Sequence, residues 1–410
     1  MMRAVLFAGL VAATLASPVS SDAPRYQERF IFPATPGRGH VHASSVIETP
    51  SGGLIAAWYE NGDPREHDHY LGTDADKRSD VRIGAARLPP GASTWAEPFV
   101  ISDTFGVSDN NPMLAVDAAK RLWLIHPTML TVPERTWGSA LLQYKVSSDY
   151  QGSGPPRWDV ERILVIHPNG LDEVVARAAA ELRRHGDEQL ERAAALVDRL
   201  NDPFARRLGW MPGTHPLVLP DGGLLVPIAN ENFNAAAMAM TRDGGETWEM
   251  SQTVPGLGVI QPSVVRLSDG RLAAYFRDAR GEGRILHSES ADGGITWSAP
   301  VVTDLPNPGS RVEAVTLQNG HVALVYNDKE ERPRDRLAVS ISTDDGKTWR
   351  WTRHLANTPG ERFDYPSIIQ ARDGSLHVTY SYNLRTIKHV AFDEAWVQEE
   401  SGTGTSKESR

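Results

Sequence analysis

Between residues 40 and 395 the apolar positions fall in short runs that come in pairs, each pair joined by a turn of two or three residues. Three pairs are plain: "QPSVVRLSDGRLAAYF" from 261, "RVEAVTLQNGHVALVY" from 311 and "YPSIIQARDGSLHVTY" from 365. Alternation at a period of two marks half-buried strands, and Asp-Gly or Asn-Gly between two of them marks a β-hairpin. Three further copies stand upstream, "ASSVIETPSGGLIAAWY" from 43, "NPMLAVDAAKRLWLIH" from 111 and "GTHPLVLPDGGLLVPI" from 213, so the pattern predicts six hairpins. A third strand such as "RILHSES" and a short fourth such as "PVVTDL" follow a hairpin before the next begins. Four strands every forty to fifty residues is the period of a propeller blade. The predicted fold is therefore all-β, a six-bladed β-propeller.

The first two intervals are longer than the last three and must hold insertions. Blade 1 carries the polar stretch 60–80, and residues 170–207, between blades 2 and 3, place Ala, Leu, Val, Glu and Arg at helical spacing. Two short helices broken at His185-Gly186 are expected there. The Arg183-Arg184 pair of this arm reads as a solvated face. Between third and fourth strands one octet recurs as "TRDGGETW" (241–248), "SADGGITW" (290–297) and "STDDGKTW" (342–349), with "GASTW" (91–95) as a decayed copy. An Asp that bonds backbone N–H groups of its own turn, a Gly at positive φ and a Trp packed under the hairpin explain the octet as a blade-holding device.

With 40% hydrophobic residues, 11 Trp and 35 Gly, the chain can bury a large core rich in turns. Its formal charge of −10 repels phosphate backbones and anionic lipid, which argues against nucleic acid as a partner. "MMRAVLFAGLVAATLASPVSSDAP" has one Arg, an apolar run from Ala4 to Ala16 and then small residues. This predicts a signal peptide over 1–21, a mature chain from 22 that is periplasmic or extracellular, and no membrane span. Residues 399–410 read as a disordered tail. The absence of cysteine excludes disulfides, thiolate metal sites and a cysteine nucleophile.

Inner strands of a propeller surround its axis, so the residues that open the hairpins converge on one mouth. They are His42, Asn111, His215, Gln261, Arg311 and Tyr365, with Arg277 and Arg334 following later strands. Polar residues at six equivalent places suit a ligand site better than a packed channel. Two arginines aimed into the mouth of an acidic protein suit a carboxylate, which each guanidinium grips in bidentate fashion. An acidic sugar is the natural ligand, and Tyr365 is a candidate nucleophile or base. Glu313, on the inner strand of blade 5, is a second candidate carboxylate. "HVH" at 40–42 and "HDH" at 67–69 are separated by no fixed metal-ligand spacing, so neither a metal nor another cofactor is expected.

The repeated [ST]-x-D-x-G-x-T-W on six hairpin units resembles the Asp-box, or bacterial neuraminidase repeat, of the sialidase superfamily, over roughly residues 40 to 395. The resemblance implies a Tyr nucleophile at Tyr365, substrate-clamping arginines at Arg277 ("YFRDAR") and Arg334 ("RDRL"), and a general acid from the long loop of blade 1. That loop holds Asp63, Asp68, Asp74, Asp76 and Asp80, of which Asp76 is favoured by its distance from "VRIGAARL". Two positions depart from the family. His42 stands where the first arginine is expected, and Gln261 where a glutamate partners the tyrosine. The chain thus looks like a divergent, sialidase-like branch.

Three functions follow as expectations. One is a sialidase-like exoglycosidase acting on a terminal carboxylate-bearing sugar. Another is a polysaccharide lyase, in which arginines neutralise a uronate and His42 or Tyr365 removes the neighbouring proton. The third is a glycan-binding propeller without catalysis.

Overall fold

The structure, a computed structural model, describes residues 26–35, 39–62, 74–131 and 135–399. Its described strands form six antiparallel sheets arranged as six blades. The first blade runs from axis to rim as Val41–Glu48, Leu54–Asn61, Val81–Leu88 and Phe99–Ser102, and the fourth as Val259–Arg266, Leu272–Asp278, Arg284–Ser290 and Val301–Pro306. Closure comes from a segment the repeat pattern did not assign. Tyr26–Phe30 pairs antiparallel with Thr386–Phe392 and supplies the rim strand of the last blade, so both ends of the propeller are sewn into one sheet. Tyr26 also stacks on Trp396 with ring centroids 4.6 Å apart. Among the described residues no helix is long and apolar enough to cross a membrane. The segments expected to be a signal peptide and a tail lie almost wholly outside the described residues.

The core lies between blades. Strands buried on both faces interleave their Val, Ile, Leu and Ala side chains with those of the next blade, as in the layer of Val325, Val339 and Ile341 against Ile368, Val378 and Val390. The octets pin these layers. Asp243 accepts bonds from Thr247 N and Thr247 Oγ1, and Asp292 and Asp344 repeat the pattern with Thr296 and Thr348. Each turn then leans on the preceding blade: Gly245 O accepts from Tyr144 Oη at 2.6 Å, and Trp349 meets Tyr275 edge-on at 5.7 Å.

A second recurring feature shapes the axis. The inner strands carry β-bulges, where the register with the next strand slips between His42 and Ser45, Ile260 and Ser263, and Asp364 and Ser367. The first bulged residue is left-handed in each: Ala43 at φ 55°, Gln261 at φ 51° and Tyr365 at φ 51°, with Asn111 at φ 37° in blade 2. Bulges re-aim side chains, and here they turn Asn111, Gln261 and Tyr365 out of the sheet toward the mouth, whereas Ala43 packs into an interblade layer. The serine that ends each bulge accepts an N–H from the next blade: Leu114 N to Ser45, Ala314 N to Ser263 and Val46 N to Ser367, at 2.9–3.1 Å.

The insertion between blades 2 and 3 holds three helices, not two: Leu171–Arg183, Asp187–Asn201 and Pro203–Arg207. Pro203 at the first helical position and Asp202 accepting from Phe204 N at 2.9 Å start the third, a capping signal at the edge of the predicted arm. Leu171, Val175 and Ala205 pack on Phe233 and Ala235. Arg199 also donates to Asn232 O at 2.6 Å, so the arm braces the turn after Asn230. Arg183 and Arg184 are exposed, as expected.

Candidate active site

At the mouth where the inner strands begin, a pocket of about 260 Å³ is lined by residues from all six blades. Seven of the predicted residues meet there: His42, Asp76, Asn111, Gln261, Arg277, Arg334 and Tyr365. The local cause is the bulge together with its cross-strand partner. His42 pairs with Tyr59, Ile260 with Arg277 and Asp364 with Ser381, each pair just before the slip in register. Tyr59, Arg277 and Ser381 all fall seven positions after the turn glycine of their hairpin (Gly52, Gly270, Gly374), a repeat position that marks Tyr59 in the sequence as it marks Arg277.

Tyr365 stands at the centre. Its hydroxyl accepts from Arg277 Nη1 at 3.0 Å, and the same nitrogen reaches Gln261 Oε1 at 3.4 Å. Guanidinium carbons of Arg311 and Arg334 lie 5.0 and 5.8 Å from the ring centroid, and His42 packs against it at 4.3 Å. The two predicted arginines differ in what holds them. Arg334 is buried and donates to Asp364 Oδ1 at 2.6 Å. Among the described residues Arg277 has no carboxylate at ion-pair distance.

Sequence reasoning missed Arg332 and Arg362, which line the same pocket with Trp137, Met211 and Glu231. Arg362 shares Asp364 with Arg334. The Arg332 guanidinium is held below its ordinary value, first by Arg334, then by burial and by Arg362 and Arg277. This is the signature of clustered like charge. Four guanidiniums therefore face a pocket lined by two carboxylates, Asp76 and Glu231, with Asp364 buried behind Arg334 and Arg362, and the balance favours an anion.

The carboxylates that do line the pocket come from opposite parts of the ring. Asp76, on the loop of blade 1, lies 2.6 Å from His40 Nε2. Burial pushes its carboxyl up, but the bond to His40 and the charge of His40 outweigh burial and hold it below the usual carboxylate range. Tyr59 is pushed well above an ordinary phenol by burial and then by Asp76. Glu231 sits in the turn that the helical arm braces; burial raises its carboxyl, with Arg277 opposing. Asp74 pairs with Lys77, and Asp80 accepts from Asn61, which leaves Asp76 as the loop's contribution to the pocket. Asp63 and Asp68 lie outside the described residues, as does the "HDH" stretch. Among the described residues no group of three His, Asp or Glu is arranged to hold a metal.

Two predicted substrate-binding residues, His215 and Glu313, do not line this pocket. Aligned on Gln261-Pro262-Ser263 they occupy the serine position, two residues past the bulge, where the strand has turned down the axis. They bond each other instead, His215 Nδ1 lying 2.8 Å from Glu313 Oε1. His42, by contrast, reaches the pocket from the residue before its bulge. Its Nδ1 is 2.9 Å from Ser381 Oγ, and burial, reinforced by His40, holds the ring neutral, well below the usual histidine value.

Six blades, octet turns on the outer hairpins and an arginine-ringed tyrosine at the axis define a propeller of the sialidase type. The model of the BNR repeat-like domain matches residues 201–378. The sialidase of Micromonospora viridifaciens is 26% identical over 171 residues, 40% of this chain and 26% of that protein. That of Clostridium perfringens is 30% identical over 158 residues, 34% of this chain and 40% of that protein. The matched stretch thus spans between a quarter and half the length of the curated relatives. Among solved structures, a Hadza microbial sialidase superposes with a TM-score of 0.67 at 16% identity, over 90% of this chain and 69% of that one. A protein of unknown function from Dyadobacter fermentans does so with a TM-score of 0.65 at 16% identity, over 90% and 99%. Over these stretches the chain is similar to sialidases, and its fold is that of the sialidase propellers.

Proposed function

We propose that the protein is a sialidase-like exoglycosidase that removes a terminal carboxylate-bearing sugar from a glycan. The observation that carries this reading is the Tyr365 hydroxyl held at 3.0 Å by Arg277 inside a small pocket with an excess of guanidinium groups. A pocket of about 260 Å³ suits one sugar ring rather than a chain. Relatives named sialidases support a sialic acid as that sugar.

In this reading Arg277 and Arg332 grip the carboxylate, with Arg334 behind them, and Gln261 and Asn111 bond the ring substituents. Tyr365 attacks the anomeric carbon as the bond to the leaving oxygen breaks, and Glu231 takes the phenol proton. Glu231 replaces the glutamate missing at 261 from one blade away; it lines the pocket and lies in the field of Arg277. The Asp76–His40 pair delivers a proton to the leaving oxygen and then activates the water that releases the sugar from Tyr365, the two-step course of a retaining glycosidase. His42, neutral and bonded to Ser381, props the Tyr365 ring.

The test is mass spectrometry of products from sialylated glycans and from uronate polysaccharides. Products that gain one water, abolished in Tyr365→Phe, support the hydrolase. Unsaturated products would replace it with the lyase, for which His42 packed on Tyr365 is the supporting contact. Binding without products would leave a glycan-binding propeller.

A further inference from the structure

The axis below the pocket holds a chain of buried polar groups that the proposed chemistry does not use. Arg311 is 1% exposed, and its Nη2 donates to Ser44 O and Tyr365 O, each at 2.8 Å, and to Pro366 O at 3.3 Å. Glu313, also 1% exposed, accepts Ile368 N at 3.0 Å through one oxygen. Its other oxygen accepts His215 N at 2.7 Å and faces His215 Nδ1 at 2.8 Å. His215 Nε2 is 3.1 Å from Ser45 Oγ, which takes Leu114 N at 3.0 Å. Burial pushes the Glu313 carboxyl up, but His215 and Arg311 outweigh it, so the group is an anion below its ordinary value.

These bonds converge on one stretch of backbone, Tyr365-Pro366-Ser367-Ile368. Tyr365 is a bulky residue at φ 51°, a conformation that residues with a side chain rarely adopt and that persists only where its surroundings impose it. Arg311 fastens the carbonyls of Tyr365 and Pro366, and Glu313 fastens the N–H of Ile368. A surface ion pair would leave these groups to water. Here the charges are inside, and Arg311 Nη2 and both Glu313 oxygens are bonded to backbone.

We propose that Arg311, Glu313 and His215 are positioning residues that hold Tyr365 in the left-handed conformation, so that its hydroxyl lands on Arg277. The proposal rests on the assignment of Tyr365 to the chemistry for its effect on turnover, but not for its effect on geometry. A propeller could close its axis with aliphatic side chains, as the six interblade layers do. An ionic cluster whose bonds end on the bulge carrying Tyr365 has a more specific task.

Two variants test this, Glu313→Gln and the milder His215→Gln, each read in three ways. A crystal structure of Glu313→Gln is expected to show the Tyr365 φ outside the left-handed region or the Tyr365–Arg277 bond broken. Turnover of the sialylated glycan is expected to fall about tenfold to a hundredfold in kcat, the loss for a buried charged hydrogen bond. KM is expected to change less than threefold, because Arg277 and Arg332 are untouched. His215→Gln, which keeps Glu313 charged, is expected to lie between Glu313→Gln and the parent. A folded variant with Tyr365 still at its parent φ and on Arg277 overturns the proposal, whatever the activity. So does an equal loss in kcat for Val325→Ala, which lies in an interblade layer and would report lost stability alone. If the parent protein turns over no glycan, the hydrolase reading falls, and the geometry of Tyr365 in the two variants still decides this one.

Discussion

Replacing Arg277 and Arg334 in turn separates two arginines that the sequence presents as equals. Arg277 is half-buried, spans the Tyr365 hydroxyl and Gln261, and has no acidic partner at ion-pair distance among the described residues. In Arg277→Met a carboxylate ligand loses a bidentate contact. Charge-assisted hydrogen bonds are worth about 1.5–3 kcal/mol each, so binding weakens by about 3 kcal/mol, roughly a hundredfold in Kd. The fold loses little, because no carboxylate at ion-pair distance among the described residues loses its partner, and Tm is expected to stay within about 2 °C of the parent. Arg334→Met behaves in the opposite way. Asp364 is fully buried and, among the described residues, keeps only Arg362 as a cationic partner. Breaking a buried pair costs about 3–5 kcal/mol, and the surviving partner places this case near the lower end. At roughly 2 °C per kcal/mol for a chain of this length, Tm falls by about 6 °C. Calorimetric titration with the free acidic sugar and scanning calorimetry of the same preparations read both quantities. An Arg277→Met protein that binds as tightly as the parent would refute the carboxylate clamp, and an unchanged Tm in Arg334→Met would refute the buried-pair reasoning.

Other outcomes are equally specific. A Cβ at Gly346, at φ 80°, would sit 2.1 Å from the Tyr275 hydroxyl, so Gly346→Ala should cost about 2–4 kcal/mol in urea unfolding, whereas Gly270→Ala, at φ 88° with open space around it, should cost about 1. His42, His126 and His389 are all held below the ordinary histidine value of 6.5, chiefly by burial. The unfolded chain therefore binds their protons first, stability is full above pH 6.5 and falls below it, and each histidine adds a slope of up to about 1.4 kcal/mol per pH unit. His42→Gln should flatten that acid limb between pH 6.5 and 5, measured as unfolding free energy against pH, and an unchanged slope would show that His42 takes a proton in the folded state. Deleting the rim strand Tyr26–Phe30 opens the ring closure and should lower Tm and raise protease cleavage within the last blade before the others.

Much of the architecture is written locally. A strand period of two, a turn residue and an Asp-box are contacts between residues close in sequence; the hairpin recurs six times and the Asp-box three, so the hairpins and the propeller were legible without any long-range information. The same holds for Tyr365, Gln261 and Asn111, because the repeat itself marks where each inner strand opens. Ring closure was not legible, since Tyr26–Phe30 pairs with residues about 360 positions away and has no hairpin partner of its own. Nor was Glu231, which stands outside the repeat position that carries Tyr59, Arg277 and Ser381, in a turn shaped by the helical arm.

By itself, then, the sequence determined the blades, their number and the ring of residues aimed at the axis, because each is a matter of local periodicity. The tertiary structure decided depth and partnership: that Arg334 is buried against Asp364 while Arg277, bonded to Tyr365, has no carboxylate partner among the described residues, and that His215 and Glu313 lie beneath Tyr365 rather than beside it. A shift of two residues along a bulged strand moves a side chain from the mouth to the axis, and only the packing of six blades around that axis sets which residues pair there and which are left to meet a ligand.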